Sequence, residues 1–521
     1  MSSASSLHQL LDNSARRYPN NIAIEDPSRP EIGAVTYSEL EQRANEVREE
    51  LERVGVQPGD RVGIYAPKSI GSLISVFGIL KAGAAYVPVD PGAPPQRNAY
   101  IFKDCSVRVV VAARQLQDGL RDGFAVDSLP VLKELETLEQ YGVDLLLSAG
   151  SQDEADSKQT HAPTDRLSYI LYTSGSTGMP KGVMHTHDSA LSFIDWCSET
   201  FELSELDRFS AHAPFHFDLS ILDIYAPIKH GARVVLVGED LGKQPRQLAS
   251  VIAELGITVW YSTPSILRLL VEYGQLQQHD YSALRIVFFA GEVYPVKHLR
   301  AVKAIWPQPR YYNLYGPTET NVCTYYEVPD NIPEERTEPF PIGKACSGDE
   351  TIVVDEHGRA VKQDQEGELY VRGGSVMLGY WNLPDRNSHA FFADESGKAW
   401  YKTGDIVKED HEGNYIYIGR RDRMIKRRGY RVELGEIESV LYRHPDIAEA
   451  AAIALPDQES GVLVKVFLNW SGEKSPSLIE LKGFCAGNLP NYMIPDRFSV
   501  LPALPKTSTD KIDYQKLKEL D

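Results

Sequence analysis

Residues 172–182, Tyr-Thr-Ser-Gly-Ser-Thr-Gly-Met-Pro-Lys-Gly, constrain this chain more than any other stretch. They follow the apolar run Ser168–Leu171. An apolar strand that feeds a Gly/Ser/Thr loop offers backbone N–H groups and hydroxyls to a phosphate. Gly175 and Gly178 permit the positive φ and close approach that a bulky anion demands. The candidate phosphate contacts are Thr173, Ser174, Gly175, Ser176, Thr177 and Gly178, with Lys181 adding a point charge. A surface linker of small polar residues is the competing reading. A P-loop is disfavoured. It places lysine directly after its second glycine and a hydroxyl residue next, whereas Gly178 precedes Met179-Pro180 and Lys181 precedes Gly182.

At 521 residues the chain exceeds what one core supports, so two or more domains are expected. Thr36-x-x-Glu39 has the form of a capping box, and Leu40, Ala44, Val47 and Leu51 follow at helical spacing. Arg61–Ala66 reads as a strand and Gly71–Ala82 as a buried helix. Val107–Ala112, Arg233–Val237 and Arg285–Phe289 are short apolar runs of the kind found in buried parallel strands. This alternation predicts an α/β fold of layered sheets flanked by helices. Leu146–Thr164 is polar and patternless and reads as an exposed loop. Beyond residue 420 a basic run, 423–431, leads into a smaller α+β unit. The expected boundary is Arg421–Asp422, giving a large N-terminal domain (1–421) and a small C-terminal one (422–521).

The net charge of −19 argues against nucleic acid as a partner, because phosphate backbones need a basic face. No run of about 18 apolar residues occurs, so no membrane span is expected. The N-terminus lacks the basic and apolar regions of a secretory signal. The five cysteines are scattered, which fits a reducing cytoplasm.

Two further segments complete a pattern. Asn313-Leu-Tyr-Gly-Pro-Thr-Glu-Thr320 joins a turn to a hydroxyl, Thr318, and a carboxylate, Glu319, which suits Mg²⁺. Tyr401-Lys-Thr-Gly-Asp405 sets a carboxylate where it can accept bonds from both hydroxyls of a ribose. Together with the loop at 172–182, these segments resemble the motifs of the adenylate-forming superfamily, which activates carboxylates with ATP. The resemblance covers nearly the whole chain.

It implies that Glu319 is a magnesium ligand, that Thr318 contacts phosphate, and that Asp405 holds the ribose with Arg420 assisting. It further implies an adenine site formed by Tyr315, Gly291 and Glu292, with Asn313, Gly316 and Tyr417 completing the nucleotide contacts. Pro505-Lys-Thr-Ser-Thr-Asp-Lys511 resembles the family's final loop, whose lysine maps to Lys511. A mobile cation there would bridge the substrate carboxylate and the α-phosphate. The usual text is Asn-Gly-Lys, so Thr509-Asp510 is a departure. In the family the small domain rotates about the position of Asp422, and the loop at Gly429 and Tyr430 enters to admit a thiol. The five cations of 423–431 are either a solvated face or a dock for an acidic carrier protein.

Asp218 in Phe217-Asp-Leu-Ser220 discriminates among substrates. A buried carboxylate is costly unless it meets a cation, and amino-acid-activating members carry aspartate here for the α-ammonium. A helix-capping role is the plain alternative. Alignment by motif adds Leu219, Leu222, Tyr261, Phe288, Ala290, Leu314, Val322 and Cys323 as the pocket wall, closed by Lys511. The lining is apolar and confined, so a small apolar amino acid is expected. The set resembles that of stand-alone L-prolyl-AMP ligases, which load proline on a carrier for oxidation to a pyrrole. One methylene changes binding by only about 1–3 kcal/mol, so valine and pipecolate stay open. No Gly-Gly-x-Ser phosphopantetheine site occurs, and the carrier is expected to be a separate protein. A D-alanine carrier ligase, a CoA ligase and a non-catalytic nucleotide module are the rivals. His212-x-x-x-His216 mimics metal-ligand spacing, but Pro214 breaks the helix that would align the pair. His185 and His187 receive no catalytic role.

Overall fold

The computed structural model of the chain describes residues 4–107, 109–116, 133–134, 145–149, 166–175, 179–394, 396–420, 423–457, 461–472, 476–506 and 512–520. Two large sheets dominate. In one, parallel strands Ile22–Glu25, Arg233–Leu236, Arg208–Ala211, Val259–Ser262, Ile286–Ala290 and Arg310–Tyr315 lie side by side in that order. Antiparallel strands Ala34–Thr36 and Thr324–Val328 flank them, with Lys344–Ala345 beyond. The other sheet centres on parallel strands Arg61–Tyr65, Ala85–Pro88, Val109–Ala113 and Leu167–Thr173, the last paired with Lys181–Thr186.

The central strands are buried on both faces, which is why they read as unbroken apolar runs rather than alternating ones. Helices Tyr37–Arg53, Ile70–Lys81 and Ser220–His230 join the inward faces of both sheets in one core. Ile70–Lys81 is buried along its length except at Lys81. The capping box at Thr36 and Glu39 forms as expected, with Thr36 Oγ1 accepting the Glu39 N–H and Glu39 reaching back to Thr36.

The polar run read as a loop begins in a strand. Leu145–Ala149 pairs antiparallel with Val109–Ala113 near the sheet edge, and only the following residues lie outside those described. Chain pairing at an edge overrode the weak pattern. A third sheet, built on Glu366–Gly373 and Ala399–Glu409, carries the ribose-motif carboxylate. The smaller unit holds a hairpin, Met424–Arg427 with Tyr430–Glu433, then the helix Leu434–Leu441. Its three-stranded sheet is Ile447–Asp457, Gly461–Trp470 and Arg497–Leu501, with its own apolar core around Ile437, Val466 and Leu468. Among the described residues no helix is long and apolar enough to cross a membrane.

Candidate active site

A cleft partly open to solvent lies at the carboxyl ends of three parallel strands, Val259–Ser262, Ile286–Ala290 and Arg310–Tyr315. Ligands of open α/β sheets bind at this end. Tyr261, Ala290, Gly291 and Gly316 reach the cleft from those strand ends, and Pro317, Thr318, Asn321 and Val322 line it from the motif that follows. Asp218, Leu219 and Phe217 come from the start of the helix Ser220–His230, and Phe193 from His187–Thr200. Met424, Lys426, Gly429 and Arg431 of the small-domain hairpin close it.

Behind the cleft wall, under Arg431, stands Glu319, 0% exposed. Its carboxylate accepts from Lys181 Nζ at 3.0 Å, from the Tyr380 hydroxyl at 2.7 Å and from Arg431 at 2.8 and 2.9 Å. Burial pushes its pKa up, but Arg431 and Lys181 outweigh burial and hold it well below the usual carboxylate range. Lys181 is pushed down to about 7 by its own burial and by the Arg431 charge beside it. The strand Leu167–Thr173 ends in Thr173, whose buried Oγ1 has no hydrogen-bond partner among the described residues. Ser174 Oγ donates to the Arg431 carbonyl at 2.8 Å, and the Gly175 N–H donates to Glu436 at 3.2 Å. Ser176, Thr177 and Gly178 lie outside the described residues.

Asp405 is buried on the third sheet, hydrogen-bonded by the Tyr315 hydroxyl and, at 2.8 Å, by Arg420. Tyr417 stands near Tyr315, ring centroids 6.5 Å apart. Asn313 turns away from the cleft and donates to the Pro341 carbonyl at 2.9 Å. Glu292 serves the small domain: it accepts the Gly429 N–H at 2.7 Å and both Ser265 donors.

Asp218 faces the cleft beside Leu219, Tyr261, Ala290 and Val322. Desolvation raises its pKa, while a hydrogen bond from the Thr318 hydroxyl and the charge of Lys426 act against the rise. The N-cap position of Ser220–His230 is Leu219, one residue beyond Asp218, and the Asp218 carboxylate accepts the Leu219 N–H. Leu222, Phe288 and Leu314 sit in the core behind this wall, and Cys323 packs with Tyr315 and Val407. Phe288 is fully buried, edge-on to Phe201 and Tyr261.

The hairpin tip enters the cleft. Arg428 and Gly429 both have positive φ, 52° and 82°, as a two-residue primed turn requires. A Cβ at Gly429 would meet Thr263 at 2.3 Å, so glycine is needed for space as well as conformation. Tyr430 stacks on Tyr492 at 3.9 Å and lies 5.5 Å from Phe217. Most of the basic run is engaged within the chain. Arg423 pairs with Glu438, Arg427 with Asp496 and Arg431 with Glu319, and Lys426 points into the cleft. Of the five cations only Arg428 is exposed.

Asp422 and Lys511, the expected hinge and mobile lysine, lie outside the described residues. His212 and His216 are each held neutral by burial, and the described residues contain no group of three or more His, Cys, Asp or Glu fit for a metal. His187 Nδ1 accepts from the Leu7 N–H. His185 is a positioning residue that sequence reasoning left without a role. Its Nε2 lies 2.8 Å from the Thr318 carbonyl, which can only accept, so Nε2 carries the proton. Nδ1 then accepts from Ser189 and Asn321, tying down the loop that bears Thr318 and Glu319. Asn321, Phe193, Met424, Lys426 and Arg431 were likewise missed as cleft residues. For Asn321 the signal was its place between the motif that ends at Thr320 and the pocket residue Val322.

Comparison with known proteins agrees with this geometry. A family model described as AMP-binding enzyme matches residues 11–381, and one described as AMP-binding enzyme C-terminal domain matches 436–511. An L-proline--[L-prolyl-carrier protein] ligase of Pseudomonas fluorescens is 40% identical over 97% of this chain and 97% of its own length. A second protein of that name, from Streptomyces coelicolor, is 37% identical over 96% of this chain and 95% of its own. Among solved structures, holo-PA1221, an NRPS protein containing adenylation and PCP domains, matches with a TM-score of 0.77 at 26% identity. The match covers 99% of this chain and 84% of that one. This chain belongs to the AMP-binding enzyme family.

Proposed function

We propose that the chain is an ATP-dependent ligase that converts L-proline to L-prolyl-AMP and passes the prolyl group to the phosphopantetheine thiol of a separate carrier protein. The observation that carries this reading is Asp218, a carboxylate set in a mostly apolar wall and left for a cation. The names of the two full-length relatives support proline and a carrier. The likeness to a protein with adenylation and PCP domains supports the carrier partner.

In this reading Asp218 pairs with the substrate nitrogen, and Leu219, Tyr261, Ala290 and Val322 enclose the ring. Asp405 and Arg420 hold the ribose, and Tyr315 and Gly291 border the base. Thr173, Ser174 and Gly175 bind phosphate oxygens, which accounts for the unpartnered Thr173 hydroxyl. With the two substrates so held, a proline carboxylate oxygen forms a bond to the α-phosphorus as the bond to pyrophosphate breaks. Lys511 offsets the charge that builds between them. The carrier thiolate then attacks the acyl carbon, and AMP leaves.

The donors at Glu319 and Thr318 are hard oxygens, and Glu319 already holds a cation on both carboxylate oxygens, so the place fits Mg²⁺. Bound there, magnesium would offset the charge of the departing pyrophosphate. Arg421–Asp422 is the proposed domain boundary and Asp422 the hinge. ATP–pyrophosphate exchange across a panel of amino acids, with magnesium, tests the reading. Proline should give the highest signal, and equal exchange with benzoate or a fatty acid would overturn it.

A further inference from the structure

The turn that carries Thr318 and Asn321 is held from behind by a pair that the functional reading does not use, Asp349 and Ser375. Asp349 opens the strand Asp349–Val354, which runs antiparallel to Glu366–Gly373, and Ser375 follows that second strand. Ser375 is fully buried. Its N–H donates to Asp349 Oδ1 at 3.0 Å. Its Oγ lies 2.6 Å from the Thr320 carbonyl and is also hydrogen-bonded with Asp349 Oδ2. The Thr320 carbonyl can only accept, so the single hydroxyl proton of Ser375 is needed there. An ionised Asp349 could also only accept, and its contact with Oγ would then set lone pair against lone pair. The proton between Oδ2 and Oγ therefore comes from Asp349. The carbonyl so held belongs to the peptide that enters Asn321, whose φ of 51° and ψ of −114° lie in a region that favours glycine. Such a conformation persists only where its surroundings fix it. Asn321 Nδ2 also donates to the Ser375 carbonyl, at 3.5 Å.

We propose that Asp349 stands as a neutral carboxylic acid, donating to Ser375 as Ser375 donates to Thr320, and that this relay makes it a positioning residue for the cleft wall at Thr318, Asn321 and Val322. Burial pushes its carboxyl up to about 7 against the pull of the Ser375 hydrogen bonds. Of the titratable groups around it, Cys323 and Cys346 are buried thiols, pushed up and neutral. Arg372 on the paired strand is taken by Glu350 and Asp394. Glu319, beside Thr320, has its charge met by Lys181 and Arg431. His185, across Asn321, is pushed down to about 4 and is neutral. When Asp349 loses its proton, the Ser375 hydroxyl faces two acceptors, one of them charged. A hydrogen bond to a charged oxygen is the stronger, so the hydroxyl turns to Asp349 and the Thr320 carbonyl is released. Thr318, Asn321 and Val322 line the cleft, so the release reaches the wall that meets the substrate.

Two readouts on the full chain test this, an infrared one that needs no substrate and an exchange one that rests on the functional reading above. Asparagine keeps an N–H donor for Ser375 Oγ and a carbonyl for the Ser375 N–H, so Asp349→Asn copies the neutral acid and cannot titrate. The infrared difference between wild type and Asp349→Asn at about pH 6 should show one protonated-carboxyl band. That band should fade as the pH rises through about 7. ATP–pyrophosphate exchange with the best substrate of the panel should be equal in the two proteins at about pH 6. By about pH 9 the variant should exceed the wild type about three- to tenfold, the worth of one hydrogen bond. The ratio cancels every other titration, that of Lys181 included. Ser375→Ala should cost a similar factor at about pH 6 and little at about pH 9, where the wild-type relay is already broken. Absence of the band, or a ratio that stays flat with pH, would overturn the proposal. A wrong substrate assignment would change which amino acid exchanges and leave both the band and the ratio in place.

Discussion

Asp218 lines the cleft and Glu319 is buried behind it under Arg431, and the surroundings of the two carboxylates differ in kind. Glu319 is fully buried under two cations and a tyrosine hydroxyl, and its pKa is driven down. Asp218 has the Thr318 hydroxyl, the Leu219 N–H and the charge of Lys426, and its pKa is driven up by desolvation. The protein supplies full counter-charge at Glu319 and less of it at Asp218. A charge left short of partners in a cleft marks where a ligand brings the missing one.

The contrast can be broken hardest at Glu319. Glu319→Gln leaves Lys181 and Arg431 facing a neutral amide in a buried place. The expected result is a loss of about 3–5 kcal/mol of stability, as when one member of a buried pair is removed, read by denaturant unfolding. Exchange activity should fall by at least about a hundredfold, the scale of losing one electrostatic stabiliser.

A pH series sharpens the comparison. Asp218 must be ionised to pair with a substrate cation, and its raised pKa means that protonation sets in at a higher pH than for an ordinary aspartate. KM for the amino acid should therefore rise as pH falls through that raised value, by about tenfold per unit below it. Glu319, shifted the other way, stays ionised over the same range. A flat KM down to pH 4 would break the distinction.

The smallest effect is expected at the hairpin tip. Arg428 is exposed and holds φ at 52°, a conformation that asparagine tolerates better. Arg428→Asn should stabilise the small domain by about 0.5 kcal/mol and leave exchange near the wild-type rate, measured by thermal unfolding and by the exchange assay.

The layered sheets were legible because buried parallel strands and the capping box at Thr36 write local signals. Asp218, Tyr261, Thr318 and Val322 were legible as site residues because each sits in or beside a short motif or strand end. Arg431 and Lys426 were not, since what they do depends on partners far away in sequence. Arg431 and Glu319 are 112 positions apart. A run of five cations read as a surface because its composition is that of a surface. Folding spent four of the five on carboxylates and on the cleft. Glu292 shows the same limit: its motif points to adenine, while its hydrogen bonds run to Gly429.

The most direct test of the central claim swaps the substrate nitrogen and its partner together. Proline and its ring-oxygen analogue, tetrahydrofuran-2-carboxylate, differ in little but the positive charge at that atom. In the wild type, exchange should favour proline by at least about a hundredfold in kcat/KM, the scale expected when a buried charge loses its partner. In Asp218→Asn that preference should collapse to within a few fold. Equal discrimination in both proteins would contradict the claim that Asp218 meets the substrate cation.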